Sequence, residues 1–141
     1  MRRRKSTVRR RSIVRLDVPI GPGELIDKIT ILEIKAAHLA SPDKLANVRV
    51  ELAALAAARD AALPTSPELA TLTAALKAVN ATLWRVEDEI RDCERGGDFG
   101  AHFVALARSV YRTNDERAAL KRRINDLLDA DIVEEKSYAA Y

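Results

Sequence analysis

Eight residues in the second half of the chain are candidates for a polar binding site. They combine two amides, two rings, two guanidinium groups, an ammonium group and one carboxylate: Asn80, Trp84, Glu87, Arg108, Tyr111, Asn114, Arg117 and Lys121. Guanidinium and ammonium groups bind phosphate or carboxylate, whereas amides and aromatic rings shape a pocket around a polar molecule. Together they predict a groove that holds a small anionic ligand.

The spacing of these residues assigns them to two consecutive helices. A polar ribbon recurs at intervals of three and four along the third predicted helix: Asn80, Trp84, Glu87, Arg91 and Glu94. In a hairpin folded about residues 97–98, Glu87 lies level with Arg108. Trp84 then lies level with Tyr111, and Asn80 with Asn114. We therefore expect the polar residues of the two helices to face each other.

Arg117 is the strongest indication of this site, because it occupies a position where the fourth helix should present an apolar side chain. On a helical wheel the apolar face continues through Thr113 and Arg117 before apolar residues resume. That face is formed by Phe99, Phe103, Leu106 and Val110. An unpaired buried charge is costly, so Arg117 needs an acidic partner, a water-filled pocket or an anionic ligand. The third helix supplies candidate partners.

Two other interpretations remain open. The polar residues can form a structural salt-bridge network in an interaction or scaffold domain, which includes a homodimer. A small enzyme can use the same groove, with Glu87 or Asp88 as general acid or base, or with a metal ion held by paired carboxylates. Glu24-x-x-Asp27 and Glu89-x-x-Asp92 are such pairs, but their separation does not match a known hydrolase motif. No metal ligands are predicted, and the sequence does not indicate which cofactor, if any, is used.

The elements that position these residues are four helices. Apolar residues at helical spacing, with Pro, Ser and Gly between them, predict helices over residues 24–40, 42–63, 67–95 and 99–130. Ser41, Ser66 and Asp98 are predicted N-caps, and Gly96-Gly97 is predicted to end the third helix. Short connections favour an all-α antiparallel bundle, and no strand pattern is visible. We expect one domain over residues 16–141.

Composition narrows the class of protein. Cys93 is the single cysteine, so neither an intramolecular disulfide nor a cysteine-based zinc site can form. No apolar run is long enough to span a membrane, and no signal peptide is visible. These features favour a cytoplasmic protein without membrane contact.

Charge is unevenly distributed along the chain. Residues 1–15 contain eight of the 24 basic residues and no acidic residue, so residues 16–141 carry 16 basic against 21 acidic residues. We expect residues 1–15 to be a disordered basic arm that binds nucleic acid weakly and non-specifically at most.

Three segments resemble a family of short bacterial proteins of unknown function. They are PIGPGELIDKITILEIKAAHL, LWRVEDEIRDCERGGDFGAHFVALARSVYRTNDERAALKRRIN and EEKSYAAY, and the likeness spans residues 18–141. Its most specific part is ARSVYRTNDERAALKRRIN, which contains Arg117. The resemblance implies no known activity. It does imply an accessory role in surface-polysaccharide synthesis, with a sugar phosphate or nucleotide sugar as ligand.

Overall fold

The computed structural model describes residues 14–141, which form four α-helices joined by short connections. The helices are α1 (Pro22–His38), α2 (Pro42–Ala62), α3 (Pro67–Gly96) and α4 (Ala101–Leu127). The described residues contain no strand, so the predicted all-α, four-helix fold is confirmed. None of these helices is long and apolar enough to cross a membrane. The predicted arm lies outside the described residues, except for Val14 and Arg15.

Proline marks the beginning of the first three helices, because its missing N–H is not needed in the first turn. Pro22 starts α1 two residues before the predicted position, since Gly21 supplies the N-cap. The Ser66 hydroxyl accepts a hydrogen bond from the Leu69 N–H at 3.1 Å, so this cap is confirmed. Ser41 is an N-cap by position but makes no such bond.

The turn between the two long helices depends on Gly97, which adopts the left-handed conformation at φ 64°. Its N–H bonds to the Glu94 carbonyl and the next N–H bonds to the Cys93 carbonyl, as in a Schellman motif. The predicted Asp98 cap is wrong, because α4 begins after Gly100 and Asp98 instead accepts a hydrogen bond from the Gly100 N–H at 3.1 Å. The predicted stop at Gly96-Gly97 is confirmed.

Helix α1 lies at the centre of the bundle and contacts each of the other three helices. It runs antiparallel to α4, because Gly23 contacts Asn125 whereas Asp27 contacts Arg117. It runs parallel to α3, since Asp27 contacts Asn80 whereas the His38 ring contacts that of Trp84. Helices α1 and α3 therefore run in one direction and α4 in the other.

Helix α2 flanks α1 and contacts none of the other described helices. The spacing of four residues at intervals of three and four predicts that all of them are core residues of α2: Leu45, Val48, Leu52 and Leu55. Only Val48 is buried, and the other three are half-buried. The prediction that all four are core residues is wrong, because α2 has one neighbour to pack against rather than two.

The apolar core is divided into two clusters. One joins α1, α3 and α4 and consists of Ile26, Leu69, Leu72, Leu76 and Ile124. The other lies between α3 and α4 alone and consists of Val86, Cys93 and Leu106. The hairpin of α3 and α4 therefore continues past His38, where α1 ends. An open groove lies where the end of α1 meets the longer hairpin.

Candidate functional site

A buried hydrogen-bonded network joins α1, α3 and α4 beneath this groove. Arg117 on α4 donates from Nε to Asp27 Oδ1 at 2.9 Å and from Nη2 to Asp27 Oδ2. Asn80 on α3 donates from Nδ2 to Asp27 Oδ1 at 2.8 Å and to Thr30 Oγ1 at 2.9 Å. Asp27 and Thr30 are fully buried. The acidic partner that Arg117 requires is therefore on α1, and not on the third helix.

The network keeps Asp27 ionised. Burial is the largest influence and opposes ionisation, but the hydrogen bonds from Arg117 and Asn80 and the positive charges of Arg117 and Lys121 together hold the pKa of Asp27 below its usual range. The hydrogen bond to Asp27 raises the pKa of Arg117 correspondingly. The guanidinium Nη1 atom is not used in this pair, and the Arg117 side chain remains 30% exposed. Among the described residues this nitrogen has no hydrogen-bond partner, so it is available to the groove that Arg117 lines.

The groove has a volume of about 620 Å³ and brings together five of the eight predicted site residues. These five are Asn80, Trp84, Glu87, Asn114 and Arg117. Its further polar lining comes from Lys35 on α1 and from Asp88 and Arg91 on α3, and its apolar lining from Ile31, Ile34 and Leu83. Glu87 is bound by Arg91 at 2.7 Å along its own helix. The volume is in the range of small-molecule sites.

The other three predicted residues lie elsewhere. Arg108 is exposed and is not among the residues that line the groove. Tyr111 faces the C-terminal tail, which we define as residues 128–141, and its ring packs edge-on against that of Tyr141 at 5.2 Å. Lys121 lies beyond Arg117, in a second ion cluster. The two polar ribbons therefore do not meet along their full length, because α1 and the tail cover part of α4.

Lys121 connects α1 to the tail. Its ammonium group is 2.6 Å from Glu24 Oε2 and 2.5 Å from Glu134 Oε2. The pKa of Lys121 is raised, because the hydrogen bonds and charges of its acidic partners outweigh the larger single effect of burial. The hydrogen bond from Lys121 lowers the pKa of Glu134. A second ion pair, between Arg122 and Glu135 at 3.0 Å, fastens the tail to the same helix.

Glu134→Gln is expected to loosen the tail without unfolding the bundle, because Lys121 keeps its contact with Glu24. We expect backbone amides of residues 133–141 to exchange with solvent several-fold faster than in the wild type, measured by hydrogen exchange. Since the pKa of folded Glu134 is lowered, the wild-type contact is complete above the ordinary glutamate pKa. It is lost as the pH falls through the lowered value.

Glu116→Gln is the matched control, because Glu116 is an exposed glutamate on α4. It should leave tail exchange unchanged. Equal exchange in Glu134→Gln and the wild type would mean that the Lys121 contact does not hold the tail.

The carboxylate pairs considered as metal ligands are engaged by cations or lie on the surface. Asp27 is paired with Arg117, and Glu24 is bound by Lys28 and Lys121. Asp92 and Glu89 pair with arginines on their own helix. Within residues 14–141 no group of three or more His, Cys, Asp or Glu side chains is arranged to hold a metal ion.

Sequence reasoning missed two residues that matter most here. Asp27 was considered only as half of a carboxylate pair, but it is fully buried. Lys35 reaches the groove because α1 lies against both α3 and α4. The signal for both was a second stripe on α1 at intervals of four, in which Thr30 lies between the apolar residues Ile26 and Ile34.

The fold and this site define an all-α bundle domain with a polar groove between three of its helices. A family of unknown function, DUF6165, matches residues 16–141, and the chain belongs to this family. No curated protein and no solved structure gives a significant match to the chain.

Proposed function

We propose that this chain is a binding domain that holds a small anionic, hydroxyl-bearing molecule, such as a sugar phosphate or nucleotide sugar, in the groove between α1, α3 and α4. The observation that carries the proposal is the lining of the groove, which combines cations from all three helices with amides and the only tryptophan of the chain. An accessory role in surface-polysaccharide synthesis is consistent with such a ligand.

The cations supply the affinity for an anionic group. Lys35, Arg91 and Arg117 line one groove, and each comes from a different helix. Arg91 also pairs with Glu87 on its own helix. Arg117 is held in place by Asp27, so its remaining donor is fixed in direction before a ligand arrives. A donor that is already oriented loses little entropy on binding, which favours affinity.

The other lining residues suit the neutral part of a sugar. Asn80 uses its amide nitrogen on Asp27 and Thr30, which leaves its oxygen as an acceptor for a ligand hydroxyl. Asn114 and Asp88 add further polar groups, and Trp84 offers a half-buried indole ring beside them. Aromatic rings that combine an apolar face with polar neighbours are typical of such pockets.

Lys35→Ala is expected to weaken binding about ten-fold, because it removes one charge-assisted hydrogen bond to the anionic group. The measurement is a titration of wild type and variant with glucose, galactose and mannose 1-phosphates, followed by the emission of Trp84. Because Trp84 is the only tryptophan, this signal reports on the groove alone.

Lys44→Ala is the control, since Lys44 is exposed on α2, away from the groove. It should bind as the wild type does. If no sugar phosphate changes the emission of Trp84, or if both variants bind equally well, the groove is not an anion-binding site.

One observation favours a scaffold instead: the Asp27–Arg117 pair completes the polar network without any ligand. A scaffold that forms a homodimer would use exposed apolar side chains, and Phe99 and Val104 near the hairpin turn are about half exposed. Sedimentation analysis separates the two functions, because a scaffold of this kind should be a dimer and Phe99→Ser should shift it to monomer. A wild-type monomer would remove this alternative.

A further inference from the structure

A second cavity, of about 870 Å³, lies between α4 and the tail, and we call it the tail cavity. All three tyrosines of the chain, Tyr111, Tyr138 and Tyr141, line it. Helix α4 contributes Asn114 and Asp115 to the polar part of the lining, and the tail contributes Lys136. Aromatic side chains are scarce in this sequence, at 4%, so their collection around one cavity needs an explanation.

The tail is held in place by contacts that do not use the whole cavity. Glu134 and Glu135 pair with Lys121 and Arg122, and the Tyr141 hydroxyl donates to Asp115 at 2.5 Å. The ring of Tyr141 also packs against Tyr111. Tyr138 lines the same cavity but is 81% exposed. Two tyrosines therefore fasten the tail, and the third presents its ring to the open space.

The tail cavity adjoins the groove. Asn114 lines both, and Arg117 lies one helical turn along the same helix. A narrow crevice of about 220 Å³ lies beside Arg117 and Ala118, and its cations are Arg117, Lys121 and Lys136. Glu24 and Glu134 already neutralise Lys121. Lys136 and the Nη1 group of Arg117 have no acidic partner among residues 14–141, so both can bind an anionic group placed between the two spaces.

We infer that the tail cavity is a second subsite, which binds a planar aromatic ring such as a nucleobase, and that the groove and the tail cavity together take one nucleoside diphosphate sugar. This inference rests on the proposed function, since it places the sugar in the groove. The ring stacks on Tyr138, the phosphates lie near Lys136 and Arg117, and the sugar lies near Trp84. Stacking of a base on an aromatic side chain does not require a particular base, so any of the common nucleotides can serve.

The aromatic residues make the two subsites separately observable. Trp84 reports on the groove, and the ring signals of the three tyrosines report on the tail cavity in an NMR spectrum of ring-labelled protein. The uridine diphosphate sugars of glucose, of galactose and of mannose should each shift the Trp84 indole signal and the tyrosine ring signals together. The matching hexose 1-phosphates, which lack the base, should shift Trp84 alone.

Tyr138→Ala is expected to weaken binding of the uridine diphosphate sugars about ten-fold, as loss of one stacking contact does. Affinity for the hexose 1-phosphates should be unchanged. Tyr138→Phe keeps the ring and should retain wild-type affinity for both. Because Tyr138 is 81% exposed, neither substitution should disturb the fold, which thermal unfolding checks.

The outcomes separate this inference from the proposed function. If both kinds of ligand shift Trp84 but Tyr138→Ala binds them as the wild type does, the second subsite is wrong and the groove site stands. If no ligand shifts Trp84, the proposed function fails. If the tyrosine signals shift but the Trp84 signal does not, the inference that one ligand occupies both the groove and the tail cavity is wrong.

Discussion

Arg117→Met is expected to lower the free energy of unfolding by about 3 kcal/mol, because it leaves a fully buried carboxylate without its ionic partner. Methionine keeps most of the side-chain volume, so the loss measures the charge rather than a cavity. Asn80 still donates one hydrogen bond to Asp27, but a single neutral donor does not replace a two-point guanidinium contact. Denaturant unfolding of variant and wild type gives the difference.

The pH dependence of this difference has a defined sign. In the wild type the pKa of folded Asp27 is lowered, so its stabilising contribution is complete above the ordinary aspartate pKa and is lost as the pH falls through the lowered value. Without Arg117, burial raises the pKa of Asp27, and the folded variant gains stability when the carboxyl binds a proton. The two proteins should therefore become closer in stability as the pH falls, beginning above the ordinary aspartate pKa of about 4 and continuing below it.

Two further variants test the cause. Arg108→Met changes an exposed arginine on the same helix and should alter stability by no more than about 0.5 kcal/mol. Adding Asp27→Leu to Arg117→Met removes the unpaired charge and should recover part of the loss. If Arg117→Met costs as little as Arg108→Met, the buried pair does not stabilise the fold.

The position of Arg117 could be predicted from the sequence, but its partner could not. The helical wheel shows an arginine within the apolar face of α4, and this follows from residue order alone. The partner depends on which helix lies against that face. The spacing of Leu25, Ile29 and Leu32 predicts one apolar stripe on α1. In the structure α1 is buried on nearly all sides and carries Asp27 opposite that stripe.

Hydrophobic periodicity could not predict where the tail lies. Residues 128–141 form no regular element, so neither helical nor strand spacing indicates which of their side chains face α4. Their position is set by individual ion pairs, such as Lys121 with Glu134, and by a ring contact between Tyr111 and Tyr141. Tyr111 and Lys121 therefore contact the tail and do not line the groove, because a segment for which the sequence predicted no structure covers this part of α4.

From the sequence alone, Gly21 indicates only that the chain is not helical just before α1. Its second role is to allow close approach: a Cβ atom on Gly21 would lie 2.5 Å from the carbonyl oxygen of Ile132. At this position glycine is required by a neighbouring backbone and not by its own dihedral angles. A sequence pattern cannot distinguish these two reasons for a glycine.

Gly23→Ala is expected to destabilise the fold by about 3 kcal/mol, because its Cβ would overlap the backbone of α4. The new Cβ atom would collide with the Lys121 carbonyl oxygen. It would also lie 3.1 Å from the Lys121 carbonyl carbon and 2.9 Å from Asn125 Oδ1. A helix backbone cannot move aside as a flexible side chain can. The hydrogen bond from the Gly23 N–H to Asn125 Oδ1, 2.8 Å long, would be strained as well.

Gly96→Ala is the matched control, because a Cβ atom there meets nothing within 4 Å and the residue ends α3 without a positive φ. It should be neutral or stabilise by up to about 1 kcal/mol. Denaturant unfolding of both variants makes the comparison, and equal stability would show that α1 does not approach α4 this closely.

The close approach of α1 to α4 matters for the site, because it brings Asp27, one helical turn after Gly23, within reach of Arg117. Loss of Gly23 should therefore also disturb the groove, and Gly23→Ala should weaken sugar-phosphate binding at Trp84 where Gly96→Ala does not.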